Sequence, residues 1–399
     1  MKNNILYFTA LTLSLASLCA AQAKADDAAP APAAASSAVS LSMPSMTGPL
    51  AGNSSPLSFD SGTPLGKIYV TGAASALAYT QSNATATDKD SRVDLSNAQV
   101  FVQNTDGPVQ FFLEGGAYSI PDLGVSYLRL DKTTTETYGY LPQGYIKFVP
   151  NSAFNVQVGK LPTLFGAEYT FSFENMNIER GLLWNQENDV NRGVQANYTQ
   201  GPLALSLSWN DGFYSNRYNW LTGMATYTID SADTIEAVAG GNLGHTTGIN
   251  SYTTPIAQNN SSIYNLIYTH TQGPWTFNPY LQYTYVPQES SIGITHSGST
   301  YGAAALVKYT IDPNWSLSGR AEYIGSSGSA SDGAPNLLYG AGSNAWSFTV
   351  TPTYQVKQYF GRVDASYVGA SSTTDGDAFG SSGNDKSQGR LVLEAGVLF

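Results

Sequence analysis

Between residues 162 and 188 the chain gathers carboxylates, Glu168, Glu174, Glu179 and Glu187, with Arg180 among them and Asp189 just beyond. The same stretch carries Phe165, Phe171, Phe173 and Trp184, so it has apolar side chains with which to fold against something. Late in the chain bases recur at Lys308, Arg320, Arg362 and Arg390, with Glu322, Asp364 and Glu394 two or four residues away. Alternation along a strand puts residues two and four apart on one face, so all seven fall on a common wall. Acids on a loop facing bases on a wall would set up a transverse field, orienting dipolar solutes and concentrating cations where the path is narrow. A second reading stays open, in which Arg320 with Glu322 and Arg362 with Asp364 are same-strand pairs that keep the wall polar.

Other reactive chemistry is thin. Of the three histidines, His245, His270 and His296, two lie in loops and none forms a His-x-Ser or His-x-x-x-His pattern, so neither zinc binding nor triad catalysis is expected. Asp88, Asp90 and Asp94, or Asp375, Asp377 and Asp385, have spacings that calcium could use but lack the dense ligand arrangement of a calcium loop. No catalytic residue, metal or cofactor is expected.

The elements that would position the charged residues are strands. In Arg390 to Phe399, Leu391, Leu393, Ala395, Val397 and Phe399 occupy one face while Arg390 and Glu394 occupy the other. That is the pattern of a strand with lipid on one side and a wet lumen on the other. Trp346, Phe348, Val350, Pro352, Tyr354 and Val356 alternate in the same way with Ser347, Thr349, Thr351, Thr353 and Gln355. Turn-forming residues mark seven short connections, near 104–108, 150–152, 200–202, 230–233, 272–274, 312–314 and 357–358. Eight longer polar loops alternate with them, near 82–91, 119–140, 162–188, 212–217, 245–261, 288–298, 326–343 and 372–386. Short turns on one rim and long loops on the other predict an all-β chain folded as an antiparallel up-and-down transmembrane β-barrel of sixteen strands. A further hairpin from Val125–Leu130 and Tyr138–Tyr140 would make eighteen. Trp275, Tyr309, Trp315, Trp346, Tyr359 and Phe399 fall near strand ends on the apolar face, where interfacial girdles belong.

Composition agrees. Of 399 residues 42% are apolar and only 12% charged, with 26 Tyr and 39 Gly, and no long apolar stretch follows the amino end. Met1–Asn4 followed by the apolar run Ile5–Leu18 reads as a secretory signal, cleaved after Ala25 (Ala23-Lys24-Ala25) or Ala23 (Ala21-Gln22-Ala23), since a spanning helix needs about 20 apolar residues. The single cysteine, Cys19, lies inside that segment. Loss of Lys2 and Lys24 with residues 1–25 would take the net charge from -11 to about -13, the wrong sign for a nucleic-acid partner. Residues 26–65, rich in Ala, Pro, Ser and Gly, read as a disordered periplasmic linker. The barrel is expected over 66–399.

The segment Gly159-Lys160-Leu161-Pro162-Thr163-Leu164-Phe165-Gly166-Ala167-Glu168 and the terminal strand resemble the putative β-barrel porin-2 family, and more narrowly porins of acetic-acid-type bacteria. The likeness covers roughly residues 66–399. It implies a pore in the cell outer membrane for small hydrophilic solutes or ions. Phe399 resembles the carboxy-terminal signal read by the barrel assembly machinery. The expected partners are outer-membrane lipid and lipopolysaccharide, that machinery, the solutes, and further copies of the chain in a homotrimer. The pore is expected to be narrowed by the 162–188 loop, with Glu168, Glu174, Glu179, Arg180 and Glu187 at the constriction. An outer-membrane enzyme or adhesin built on the same scaffold is the other class; it should show an uncommitted catalytic pair at a rim, or very long loops.

Overall fold

The protein was analysed as a computed structural model, in which residues 48–247 and 255–399 are described. A short strand, β1 (Leu57–Asp60), precedes sixteen that form the wall. They are β2 (Lys67–Gln81), β3 (Ser91–Asn104), β4 (Val109–Tyr118), β5 (Gln143–Asn151), β6 (Phe154–Pro162), β7 (Val190–Gln200), β8 (Leu203–Asn210) and β9 (Trp220–Thr228), then β10 (Asp233–Asn242), β11 (Ser262–Gln272), β12 (Trp275–Val286), β13 (Gly298–Thr310), β14 (Trp315–Ser326), β15 (Asn344–Val356), β16 (Tyr359–Ser371) and β17 (Ser387–Leu398). Each pairs antiparallel with the next, and β17 pairs with β2, from Leu398↔Ala73 to Arg390↔Gln81. The sheet therefore closes, and its sixteen strands leave no free edge in the membrane. All seven short turns and all eight long loops fall where the turn chemistry puts them.

Sequence period dictates the two faces. Along β15, Ala345, Ser347, Thr349 and Thr351 are buried inside while Trp346, Phe348, Val350 and Tyr354 face outward. On the outside, the ring of Trp275 lies tilted against its cross-strand partner Tyr309 with centroids 4.5 Å apart, and Trp315 against Tyr354 at 4.8 Å. Both pairs lie close to the short-turn rim, as an interfacial girdle requires. Among the described residues no helix is long and apolar enough to cross a membrane.

The eighteen-strand alternative fails in the 119–142 loop. Residues 130–136 form helix α1 (Leu130–Glu136) instead of a hairpin, although Thr133, Thr134 and Thr135 favour strands. The threonine hydroxyls find helical or tertiary acceptors: Thr133 donates to the Leu128 carbonyl at 2.9 Å and Thr134 to that of Tyr118 at 3.2 Å, while the Leu130 amide donates to Asp94 at 3.0 Å.

The expected signal peptide, and the expected linker as far as residue 47, lie outside the described residues. From Gly48 to Leu65 the chain is folded against the barrel. β1 pairs with the first residues of β2, Leu57↔Val70 to Asp60↔Lys67, and so occupies the edge left where β17 ends opposite Ala73. A small-residue composition cannot build a core, but it can add to an edge that a neighbour supplies.

Candidate functional site: the loop between β6 and β7

The loop starts where β6 has its one strained position. Gly159 has φ +147°, and a Cβ there would lie 2.2 Å from the Gly144 carbonyl oxygen of β5, so only glycine fits. From Thr163 to Asp189 the chain then runs along inward-facing side chains of much of the barrel. Phe165 packs with Phe213, Trp220, Val238 and Ile263. The Gly166 amide donates to Asn265 of β11 at 3.3 Å. Phe171 and Phe173 stack on each other and join Phe101, Phe112 and Tyr118, with ring centroids 5.8 Å apart for Phe101 and Phe173.

From there the loop turns to the late strands. Asn97 of β3 donates to Ser172 at 2.8 Å, and Ser172 donates to Glu394 of β17 at 2.7 Å. Asn177 reaches Thr351 at 2.6 Å, and the Ile178 and Glu179 amides both donate to one oxygen of Asp364. Leu182 and Leu183 donate their amides to Glu322.

The acids and bases singled out in the sequence meet directly. Glu168 pairs with Arg320 at 2.6 Å, and Arg320 also meets Glu322 at 3.1 Å. Glu179 pairs with Arg390 at 2.5 Å, and Arg180 with Asp122 of the preceding loop at 3.3 Å. Arg362 pairs with Glu394 at 2.7 Å and donates to the Ser172 and Asn175 carbonyls. All these guanidiniums are nearly buried. The charges expected to face one another across an open path therefore touch, because the loop extends to the wall. The alternative of same-strand pairing holds for Arg320 with Glu322 but not for Arg362 with Asp364. Arg362 and Glu394 are directly opposite in the β16–β17 register, which leaves Asp364 free to accept from the loop and from Thr351.

The remaining sites differ. Glu174 closes on its own loop, accepting from the Phe171 amide at 3.1 Å, and Glu187 accepts from Gln282 of β12; among the described residues neither is ion-paired. Burial pushes Glu174 up to about 8 and Glu187 well above the usual carboxylate range. Asp122 and Asp189 are each pushed up to about 7 by burial, against the pull of Arg180 on Asp122 and of the Tyr138 hydroxyl on Asp189. Lys308 donates to the carbonyl of Pro49 at 2.8 Å. Phe399 exchanges two backbone hydrogen bonds with Gly72, and its ring lies where a Cβ on residue 72 would stand.

Three participants were not singled out in the sequence. Glu114 faces inward on β4 beside Gln99, a position that alternation from Phe112 already assigns. Asp122 and the segment 48–51 had no such signal, because their partners are far away in sequence. Asp88 is taken up by Tyr79, Gln81 and the Tyr127 amide, and among the described residues no group of three acids, histidines or cysteines is arranged to hold a metal.

A closed sixteen-strand wall with a polar interior and a lipid-type exterior is the setting for comparison with known proteins. A family profile described as putative beta-barrel porin-2, OmpL-like, matches residues 67–399. The chain belongs to that family. It is an outer-membrane porin, and its barrel is a route for small solutes. No curated protein sequence matches the chain. Among solved structures it is similar to an anion-selective porin from Comamonas acidovorans, with 10% identity, a TM-score of 0.60, and 83% of this chain and 99% of that one covered. It is also similar to OmpT of Vibrio cholerae in a trimer form, with 12% identity, a TM-score of 0.52 and coverage of 83% and 99%. A third is the outer-membrane channel DcaP of Acinetobacter baumannii, with 12% identity, a TM-score of 0.54 and coverage of 83% and 97%. At these identities the likeness is one of fold.

Proposed function

We propose that residues 163–189 form the constriction of this porin and give it a preference for small cations and neutral hydrophilic solutes over anions. One observation carries the reading. The loop bonds both to Asn97 of β3 and to Asn265 of β11, strands eight positions apart in a ring of sixteen and so on opposite sides of the barrel. A segment anchored on opposite walls divides the cross-section that solutes must pass. Charge balance supports the sign of the preference: Arg320 is shared by Glu168 and Glu322, which leaves one carboxylate in excess, while Arg180, Arg362 and Arg390 have one carboxylate each.

The barrel serves as a channel rather than as an enzyme scaffold in this reading. The charged groups at its centre are committed to holding the loop, and the His270–Asp233 contact of 2.6 Å stands at the short-turn rim with Tyr268 as its other neighbour. The signal peptide, recognition of Phe399 by the assembly machinery, lipopolysaccharide contacts and a homotrimer belong to the same proposal. Cross-linking in native outer membranes tests the trimer.

The decisive measurement is the reversal potential of the purified protein in a planar bilayer under a potassium chloride gradient. The expected sign is cation preference. Joint replacement of Glu168, Glu174 and Glu179 by Gln should move it toward chloride, more at low salt than at 1 M, where the Debye length is about 3 Å. An unchanged potential at low salt with the barrel assembled would return the loop to an ordinary external connection.

A further inference from the structure

The residues just before β1 enter the barrel. Leu50 is 5% exposed and belongs to the buried cluster that contains Phe101 of β3, Phe360 of β16 and the loop residues Phe171 and Phe173. Ala51 donates its amide to Gln355 of β15 at 2.8 Å and accepts from the same side-chain amide at 2.7 Å. Lys308 of β13 donates to the Pro49 carbonyl at 2.8 Å. Gly48 lies so close to the loop that a Cβ on it would stand 2.5 Å from the Cα of Glu174. All the wall residues in these contacts face inward, and Lys308 and Gln355 lie in the last residues of their strands before the short-turn rim.

We infer that Gly48–Pro56 is a strap that occupies the short-turn entrance of the lumen, braces the constriction loop from that side, and sets ion preference by covering Lys308. The selectivity part rests on the proposed role of the 163–189 loop. The physical reason is the character of Lys308. Among the described residues no carboxylate pairs with it, and its ammonium is capped by a neutral carbonyl of the strap. While the strap is seated, that charge is removed from the solute path. Once the strap leaves, a bare cation faces the entrance, and anions are favoured there. Leu50 is the anchor, since its burial among rings is the strap's main apolar contact.

The test uses the full chain in a Cys19→Ser background. Leu50→Asp would place a carboxylate in the aromatic cluster and should unseat the strap, raising single-channel conductance and shifting the reversal potential toward chloride. Adding Lys308→Gln should abolish the shift while leaving the higher conductance. Ala51→Cys with Gln355→Cys, bridged by a short bis-methanethiosulfonate reagent, should return the Leu50→Asp protein to the parent conductance until a reductant is added. Gln355→Ala, which removes both hydrogen bonds to Ala51, gives the same readouts if Leu50→Asp does not assemble. Parent-like conductance and reversal potential in both unseating variants, or failure of positions 51 and 355 to be bridged in the parent background, would overturn the inference. Failure of the constriction proposal looks different: the Glu168, Glu174 and Glu179 variant would leave selectivity unchanged, while the conductance response to Leu50→Asp would remain.

Discussion

Against β3 and β4 the loop is held by rings, with Phe171 and Phe173 set among Phe101, Phe112 and Tyr118, whereas against β14 to β17 it is held by Arg320, Arg362 and Arg390. The two contacts do different work. Burial of rings is non-directional and insensitive to salt, so it draws the loop inward without choosing its register. The guanidiniums are directional and bind particular carbonyls and carboxylates, so they decide which residue stands at which depth. Buried ion pairs add little net stability over an apolar substitute, yet removing one partner is costly because the other stays buried and unpaired.

The comparison is broken most severely on the ionic side. Arg320→Ala strips the partner from both Glu168 and Glu322, and unfolding in denaturant should show a loss of roughly 3–5 kcal/mol, accompanied by noisier and larger single-channel currents. On the aromatic side, Phe171→Ala should cost about 3 kcal/mol, the lower end for such a cavity because water can enter from the lumen. Its effect should be the same at 0.1 M and 1 M salt.

Glu174 sharpens the contrast through pH. Its carboxyl titrates near 8 in the folded loop against 4.5 for the free side chain, so the folded state holds a proton that the unfolded state has released between those values. The contribution is fully present below pH 4.5 and is lost as pH rises through 8. Glu174→Gln should flatten that fall, read from midpoints of unfolding at pH 5 and pH 9. A midpoint that rises with pH in the parent protein would contradict this sign.

The smallest effect is expected at the junction of the two sides. Ser172 links Asn97 of the aromatic wall to Glu394 of the ionic wall, and Ser172→Ala should cost about 1 kcal/mol because Glu394 keeps Ser96 and Arg362. A double-mutant cycle of Ser172→Ala with Phe171→Ala measures how far the two contacts are coupled.

Much of the wall was legible because period two assigns a face to every residue of a strand whatever its neighbours are. It was enough to put Arg320, Arg362, Arg390 and Glu394 inside and Trp346, Tyr354 and Leu391 outside. The segments that misled did so where tertiary partners overrode local preference. Thr133–Thr135 became helical because acceptors lay at hand, and residues 48–65 folded on an edge and an aromatic cluster built by distant strands.

The sequence by itself determined the barrel class, the alternation of short and long connections, the polar interior and the loop whose acids and rings could occupy it, while the choice of sixteen strands over eighteen needed the helix at 130–136. These follow from local backbone geometry, which a single strand or turn already expresses. Only the tertiary structure decided that Arg362 takes Glu394 rather than Asp364, that Glu179 takes Arg390, and that Lys308 donates to the Pro49 carbonyl. Such pairings depend on interstrand register and on the path of a loop between opposite walls, and closure of the barrel fixes both at once.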